Sequence, residues 1–122
     1  LAAGTAPFQL QLTGPYVNGR GITADAEPTA EWRQLIDEVR TAASQSMIST
    51  EELGDPPFAP HISVGHGRAD GDSEPLETAL AGLGRSLYED FVIDRIHLLA
   101  VDQHVEEGIF DWEPIADFTL AG

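Results

Sequence analysis

The stretch Pro60-His61-Ile62-Ser63-Val64-Gly65 determines how this sequence is interpreted. Polar and apolar residues alternate in it with a period of two, which predicts a β-strand with His61, Ser63 and Gly65 on one face. An imidazole that titrates near neutrality would then stand beside a hydroxyl that can donate a hydrogen bond. A phosphate ester could use both groups, although a histidine satisfied by a loop carbonyl is the structural alternative.

The residues before this strand predict two short strands and a helix. Phe8–Leu12 alternates with period two and is followed by Gly14-Pro15, which predicts the end of the strand, and Asn18-Gly19 predicts a turn into a second strand over 21–25. Thr29 is a suitable N-cap for a helix. The core face of that helix is predicted from residues at helical spacing, namely Trp32, Leu35, Ile36, Val39 and Ala43. Residues 54–60 contain three prolines and predict a loop that leads to the strand at His61.

The residues after the strand predict a second helix and two further strands. Ser73 is a candidate N-cap for a helix whose core positions are Leu76, Ala79, Leu80 and Leu83. One long, mostly apolar strand is predicted over 91–101, in a central position covered on both sides. A turn at 106–108 precedes a final strand over 112–120. The predicted fold class is α+β, in which two helices back an antiparallel or mixed sheet in the order ββαβαββ.

Composition limits the classes of function. The 122 residues form one domain, 1–122, and carry 21 acidic and 6 basic side chains for a net charge of −15. This charge balance excludes a broad basic surface for long nucleic acid, and all six basic residues are arginine. The absence of cysteine excludes a disulfide framework and a thiolate metal site, and is compatible with a reducing, cytoplasmic compartment. No apolar run is long enough to span a bilayer, so no membrane partner is expected.

The motif and its surroundings resemble a known family. The stretch from Phe58 to Val64, the strand 91–100 and the ending 112–120 are together similar to the 2′-5′ RNA ligase-like group of the two-histidine phosphoesterases. The resemblance implies two lobes, each contributing a His-x-Thr/Ser motif to one cleft, with the histidines as acid and base and no metal or other cofactor. Only His61 and Ser63 match such a motif here, and the resemblance makes them the expected catalytic residues.

The first motif of that family is absent from these residues, because all four histidines lie at position 61 or later. Two explanations are open. The chain begins with Leu1 and an interior-like strand, which favours a domain that is N-terminally incomplete and lacks part of its first lobe. Alternatively, the protein has half a site and is not a catalyst of this kind. A lobe supplied by a separate chain is a further possibility, and the oligomeric state is not predictable from the sequence.

Other polar residues are weaker candidates. His66 and Arg68 follow the strand and could bind an anionic substrate, although a solvated turn is the alternative for both. His97 is expected to be a packed strand residue and His104 a surface turn residue. A calcium loop at Asp70–Glu74 is disfavoured by its ligand spacing, and a metal site from His61, His66 and Asp70 would require the strand to bend at Gly65. Trp32 and Trp112 are expected in the core.

Two functional hypotheses follow. In the first, the protein is a phosphoesterase, a cyclic phosphodiesterase or 2′-5′ RNA ligase-like enzyme, that acts on a 2′,3′-cyclic phosphate or a 2′-5′ phosphodiester at a nucleotide or RNA end. The acidic balance then favours a short substrate. In the second, the protein is a non-catalytic acidic binding or interaction domain that has retained the fold with half a site.

Overall fold

The computed structural model describes residues 4–46, 53–55, 59–83 and 87–122 of the chain. The elements follow in the order ββαβαβββ: β1 (Phe8–Asn18), β2 (Gly21–Ala26), α1 (Ala30–Gln45), β3 (His61–His66), α2 (Glu74–Gly82), β4 (Leu87–Ile93), β5 (Arg95–His104) and β6 (Ile109–Thr119). All strand pairs are antiparallel, and the fold is α+β as predicted.

The strands form two sheets. The larger sheet has the order β3-β2-β1-β4, and β5 and β6 form a separate two-stranded hairpin. Strand β3, which carries the His-x-Ser motif, is therefore an edge strand of the four-stranded sheet. The backbone N–H of Ala26 donates to the Pro60 carbonyl at 2.9 Å and joins β2 to the residue before β3.

The hydrophobic core lies on one face of the larger sheet, beneath α1. Its buried members are Phe8, Leu10, Ala26, Leu35 and Leu120, and Trp32 and Val39 of α1 pack against them. The predicted N-cap is confirmed, because Thr29 Oγ1 accepts a hydrogen bond from the Trp32 backbone N–H at 3.2 Å. The period-two pattern of β1 sends Phe8 and Leu10 into this core and the alternating glutamines to the opposite face.

Strand β1 is longer than predicted. Gly14-Pro15 does not end it, because a register shift between Thr13 and Tyr16 absorbs this dipeptide within the strand. Gly14 has a φ of 123°, which only glycine adopts readily, and the peptide bond to Pro15 is cis. The chain then reverses at the predicted turn, where Gly19 has a φ of 57°.

The prediction of one long central strand over 91–101 is wrong. The chain leaves the larger sheet at Asp94, and the Asp94 carbonyl accepts from the Leu120 backbone N–H at 2.8 Å instead of continuing a strand ladder. Strand β4 is an edge strand and β5 belongs to the hairpin, so Val92 is 59% exposed and Leu98 is 50% exposed. An apolar run shows only that a segment is apolar, and does not show which sheet each half joins.

The predicted cores of α2 and of the last strand are also wrong. Leu83 and Trp112 are 61% and 64% exposed, and α2 has no buried residue. Ser73 makes no side-chain cap; the Asp72 carboxylate accepts from the Glu74 N–H at 3.0 Å instead. The exposed apolar residues of the hairpin are Leu98, Leu99, Val101, Val105, Phe110, Trp112 and Ile115.

The prediction of a proline-rich loop falls partly on residues beyond the described ranges. Positions 56–58 of the proline-rich loop, including the Phe58 that contributes to the family resemblance, lie outside them. In the described residues, no helix is long and apolar enough to cross a membrane.

Candidate functional site

Strand β3 presents His61 and Ser63 to solvent on the face of the sheet opposite α1. His61 is paired with Asp25 of β2, and Ser63 is paired with Thr23. Paired residues of antiparallel strands share a face, with Cβ atoms about 5 Å apart. Thr13 is paired in turn with Asp25, so this face continues across β1 through Thr13 and the glutamines that alternate with the core residues. The predicted sharing of one face by His61 and Ser63 is thus consistent with the register.

The imidazole of His61 lies near one protein acceptor. Its Nδ1 is 3.4 Å from the carbonyl oxygen of Ala59, two residues earlier. A proton on Nδ1 that points to this carbonyl leaves Nε2 unprotonated and exposed, and so able to accept a proton. The loop-carbonyl contact, which was the structural alternative to a functional role, is therefore compatible with acid/base chemistry at the other ring nitrogen.

A bulge in β3 changes the direction of His66. Ser63 pairs with Thr23 and Gly65 pairs with Ile22, so Val64 is an extra residue in the ladder. His66 then pairs with Gly21, on the β2 face that also carries Thr23 and Asp25. Its Nδ1 lies 3.8 Å from the position that a Cβ of Gly21 would occupy. The bulge thus puts His66 on the face of His61 and Ser63, which simple alternation does not predict.

Contacts also connect His66 to the hairpin. The rings of His66 and Phe110 lie edge to face, with centroids 6.0 Å apart. Arg68 is exposed in the following loop, and a Cβ on Gly108 would lie 3.5 Å from the Arg68 carbonyl oxygen. The tip of the hairpin therefore approaches the exit of β3, beside the two residues that were predicted to bind substrate.

The remaining polar candidates have other partners. Arg20 forms a salt bridge with Asp70 at 2.6 Å, and Asp72 caps α2, so both aspartates of the disfavoured calcium loop make contacts within the protein. Within the described ranges, no three or more histidine and acidic side chains group in a way that could hold a metal ion.

The other two histidines lie on the hairpin. His97 Nδ1 is 2.5 Å from an Asp117 carboxylate oxygen, and its side chain is 53% exposed, so the prediction of a packed residue is wrong. His104 Nε2 is 2.9 Å from Asp111. Each hairpin histidine is thus paired with an aspartate of β6.

Sequence reasoning missed Tyr16 and Asp25. The Tyr16 hydroxyl donates to Asp25 Oδ2 at 2.5 Å, and Asp25 is the cross-strand neighbour of His61. This hydrogen bond, with desolvation and the charge of Asp25 adding to it, raises the pKa of Tyr16 above the ordinary value of 10.0. Only the strand register reveals that Asp25 and its partner Tyr16 lie beside His61, because a helix and a loop separate Asp25 from His61 in the sequence.

A polar depression borders His61. It has a volume of about 530 Å³ and includes Ala59, whose carbonyl contacts His61. Its other described lining residues are Gln9, Gln11, Thr13, Asp25, Ala26, Glu27, Pro28, Thr29 and Asp90. The candidate site therefore combines a histidine and a hydroxyl on an edge strand with an adjoining polar cavity.

Comparison with known proteins identifies the family of the chain. The family model of the 2′-5′ RNA ligase superfamily matches residues 1–105. No curated protein and no solved structure matches the chain. The family match extends from β1 to the end of β5 and includes the whole four-stranded sheet with the His-x-Ser strand. The chain belongs to the 2′-5′ RNA ligase superfamily.

Proposed function

We propose that the protein is a phosphoesterase that opens a 2′,3′-cyclic phosphate, or acts on a 2′-5′ phosphodiester, at a nucleotide or short RNA end. The observation that carries the proposal is the position of His61 and Ser63 on one exposed face of an edge strand, in a chain of this superfamily. The superfamily supports phosphoesterase or ligase-like chemistry. The −15 charge favours a small substrate over a long polyanion.

The proposed reaction is hydrolysis of the cyclic ester. A water oxygen forms a new bond to phosphorus while the bond between phosphorus and the ribose O3′ breaks. One proton passes from the water to a general base, and one proton passes from a general acid to O3′, which leaves a 2′-phosphate. His61 acts as one of these two proton-transfer groups through Nε2. The Ser63 hydroxyl donates a hydrogen bond to a non-bridging phosphate oxygen.

The proposal assigns the second proton-transfer group to a histidine outside these 122 residues. His97 and His104 are paired with aspartates on the hairpin, and His66 is proposed, with Arg68, to contact the anionic substrate. A preceding segment with the first His-x-Thr/Ser motif is the expected source, and the encoding DNA upstream of Leu1 would reveal it. An oligomer found by sizing, with no upstream motif, would instead indicate a second chain as the source.

The experiment measures 2′-phosphate release from a 2′,3′-cyclic nucleotide by the intact gene product. We expect His61→Ala to lower kcat/KM by about 10²–10⁴-fold, since it removes one acid/base group. His97→Ala is the matched control, because it removes another exposed histidine from the base of the hairpin, away from the tip that approaches β3. Ser63→Ala should lower kcat/KM by about tenfold or more, and Ser63→Thr should restore it.

Equal turnover by the wild type and His61→Ala would refute the assignment. Absence of turnover in every form would refute the catalytic function and favour the non-catalytic binding domain.

The proposal also includes a reducing, cytoplasmic setting, with which the absence of cysteine is compatible.

A further inference from the structure

The depression beside His61 is lined by hydrogen-bonding side chains that have no role in the proposed phosphate chemistry. Gln9 and Gln11 come from β1, Asp25 from β2 and Asp90 from β4, so three neighbouring strands contribute hydrogen-bonding side chains. The pairing of Gln11 with Asp90 puts the amide and the carboxylate on one face. The floor of the depression is thus part of the sheet surface, and the loop residues Glu27, Pro28 and Ala59 border it.

The depression is continuous with the proposed catalytic position. Ala59 lines it and contacts His61 Nδ1 through its carbonyl, and Asp25 lines it directly opposite His61 in the strand ladder. A substrate whose phosphate contacts His61 and Ser63 can therefore place its remaining atoms in this adjoining cavity.

The charge of the cavity excludes a second phosphate. None of its described lining residues is cationic, and Asp25, Glu27 and Asp90 are acidic. A phosphate group would meet like charges there, whereas a neutral group that donates hydrogen bonds would meet acceptors. The volume of about 530 Å³ is within the range of small-ligand pockets.

One acceptor in the cavity is held in place. Asp25 Oδ2 accepts from the Tyr16 hydroxyl, and Thr13 Oγ1 donates to the Asp25 carbonyl at 3.3 Å. The Tyr16 bond orients the carboxylate before any ligand arrives, the Thr13 bond fixes the backbone that carries it, and Oδ1 can still accept a hydrogen bond. Among the described residues, the Gln9 and Gln11 amides make no side-chain hydrogen bond, so they can pair with ring nitrogens and carbonyls of a ligand.

We propose that this depression binds the nucleobase of the substrate and selects a base with an exocyclic amino group over uracil. The inference rests on the proposed function, and it adds that the depression recognises the nucleobase of the substrate. An amino group donates to the Asp25 carboxylate, as in the pairing of acidic side chains with the cytosine amino group. Uracil presents a carbonyl oxygen at the same ring position, which would oppose the carboxylate.

Cytidine and uridine substrates provide the sharpest comparison, because their pyrimidine rings differ at that amino group and at the protonation of the adjacent ring nitrogen. We expect kcat/KM for 2′,3′-cyclic CMP to exceed that for 2′,3′-cyclic UMP by about tenfold, the size expected for one hydrogen bond to a charged acceptor. Asp25→Asn should reduce this ratio to about one, since an amide can donate to the uracil carbonyl as well as accept. Asp102→Asn, which changes an exposed carboxylate on the hairpin, should retain the ratio.

A binding measurement separates this inference from the catalytic proposal. Calorimetric titration of the full chain with 2′-CMP and 2′-UMP reports base selection whether or not turnover occurs, and His61→Ala should retain the preference. Circular dichroism verifies that Asp25→Asn is folded, and Asp90→Asn, which should weaken 2′-CMP binding, gives an independent second variant. Equal Kd values for the two nucleotides, or a preference that survives in Asp25→Asn, would overturn the inference even if cyclic nucleotides are hydrolysed.

Discussion

Tyr16 shows how a pair that is distant in sequence comes to lie beside a site. The register shift in β1 aligns Tyr16 with Thr23, and its hydroxyl reaches the carboxylate of Asp25, two residues further along β2. Because Asp25 lies opposite His61, the phenol, the carboxylate and the imidazole occupy neighbouring positions on one face. The arrangement depends on three strands in a defined register.

The titration of Tyr16 gives a direct test of this register. The hydrogen bond to Asp25 favours the neutral phenol and raises the pKa of Tyr16, so Asp25→Asn should lower that pKa toward 10. The stability that this bond contributes is present below the ordinary tyrosine pKa and is lost as pH rises through the raised value. Ultraviolet difference spectroscopy against pH measures the change, with Tyr16→Phe identifying the signal. An unchanged Tyr16 titration in Asp25→Asn would contradict the contact.

For individual residues, the sequence predicts the face of a strand on which a side chain lies, as long as that face follows from alternation within the strand. The placement of His61 and Ser63 on one face needs only the period of two. The direction of His66 depends on the bulge at Val64, and the contact of Asp25 with Tyr16 depends on pairing between strands. Neither feature has a local signal, because a bulge and a register are set by the partner strand.

Helix α1 is the element whose sequence and structure agree best. Its apolar residues recur at helical spacing, and Thr29 caps its first turn. All of the information for this element lies within residues 29–45, so tertiary context was not needed to predict it. The opposite holds for 91–101, where the strand breaks at Asp94 and the Asp94 carbonyl accepts from the backbone N–H of Leu120, far along the chain.

The cap of α1 allows a quantitative test. Thr29→Ala should lower the free energy of unfolding by about 1 kcal/mol, because it leaves the Trp32 N–H without its side-chain acceptor. Thr41→Ala is the matched control on the exposed surface of the same helix, and it should be neutral or slightly stabilising because alanine is the better helix former. Urea denaturation of both variants measures the difference. Equal stabilities for the two variants would mean that the Thr29 contact contributes nothing.

At the scale of the whole molecule, charge acts against compactness. With 21 acidic and 6 basic side chains, most charges have no opposite neighbour. The two arginine–aspartate pairs in the described ranges, at Arg20 and Arg95, are both exposed and contribute little. Self-repulsion among the carboxylates therefore dominates the response of the folded state to salt.

We expect the free energy of unfolding to rise, on the order of 1 kcal/mol, between about 10 mM and about 0.5 M sodium chloride. Screening weakens carboxylate repulsion more than it weakens the few exposed ion pairs. Urea titrations at each ionic strength measure the change, and a variant with both Glu106→Gln and Glu107→Gln should show a smaller salt dependence. A stability that falls with added salt would show that specific ion pairs, and not net charge, govern the fold.

The sequence also predicts the fold class without predicting how the layers meet. Polarity patterns distinguish helices from strands, and they led correctly to an α+β domain. They do not show that Trp112 faces solvent, because an aromatic side chain in an alternating strand is compatible with either a covered or an open sheet face. The exposed hairpin is thus a property of the assembled structure, absent from any single segment.

The division of the larger sheet into two faces has an evolutionary consequence. The buried core on one face, which includes Phe8, Leu10 and Leu35, stabilises the fold. On the opposite face, His61 and Ser63 lie exposed on an edge strand. Exchanging an exposed side chain usually changes stability by less than about 0.5 kcal/mol. Descendants of this chain can therefore gain or lose reactive side chains at β3 while they keep the same fold. The residues of the site and the residues of the core can thus change at different rates.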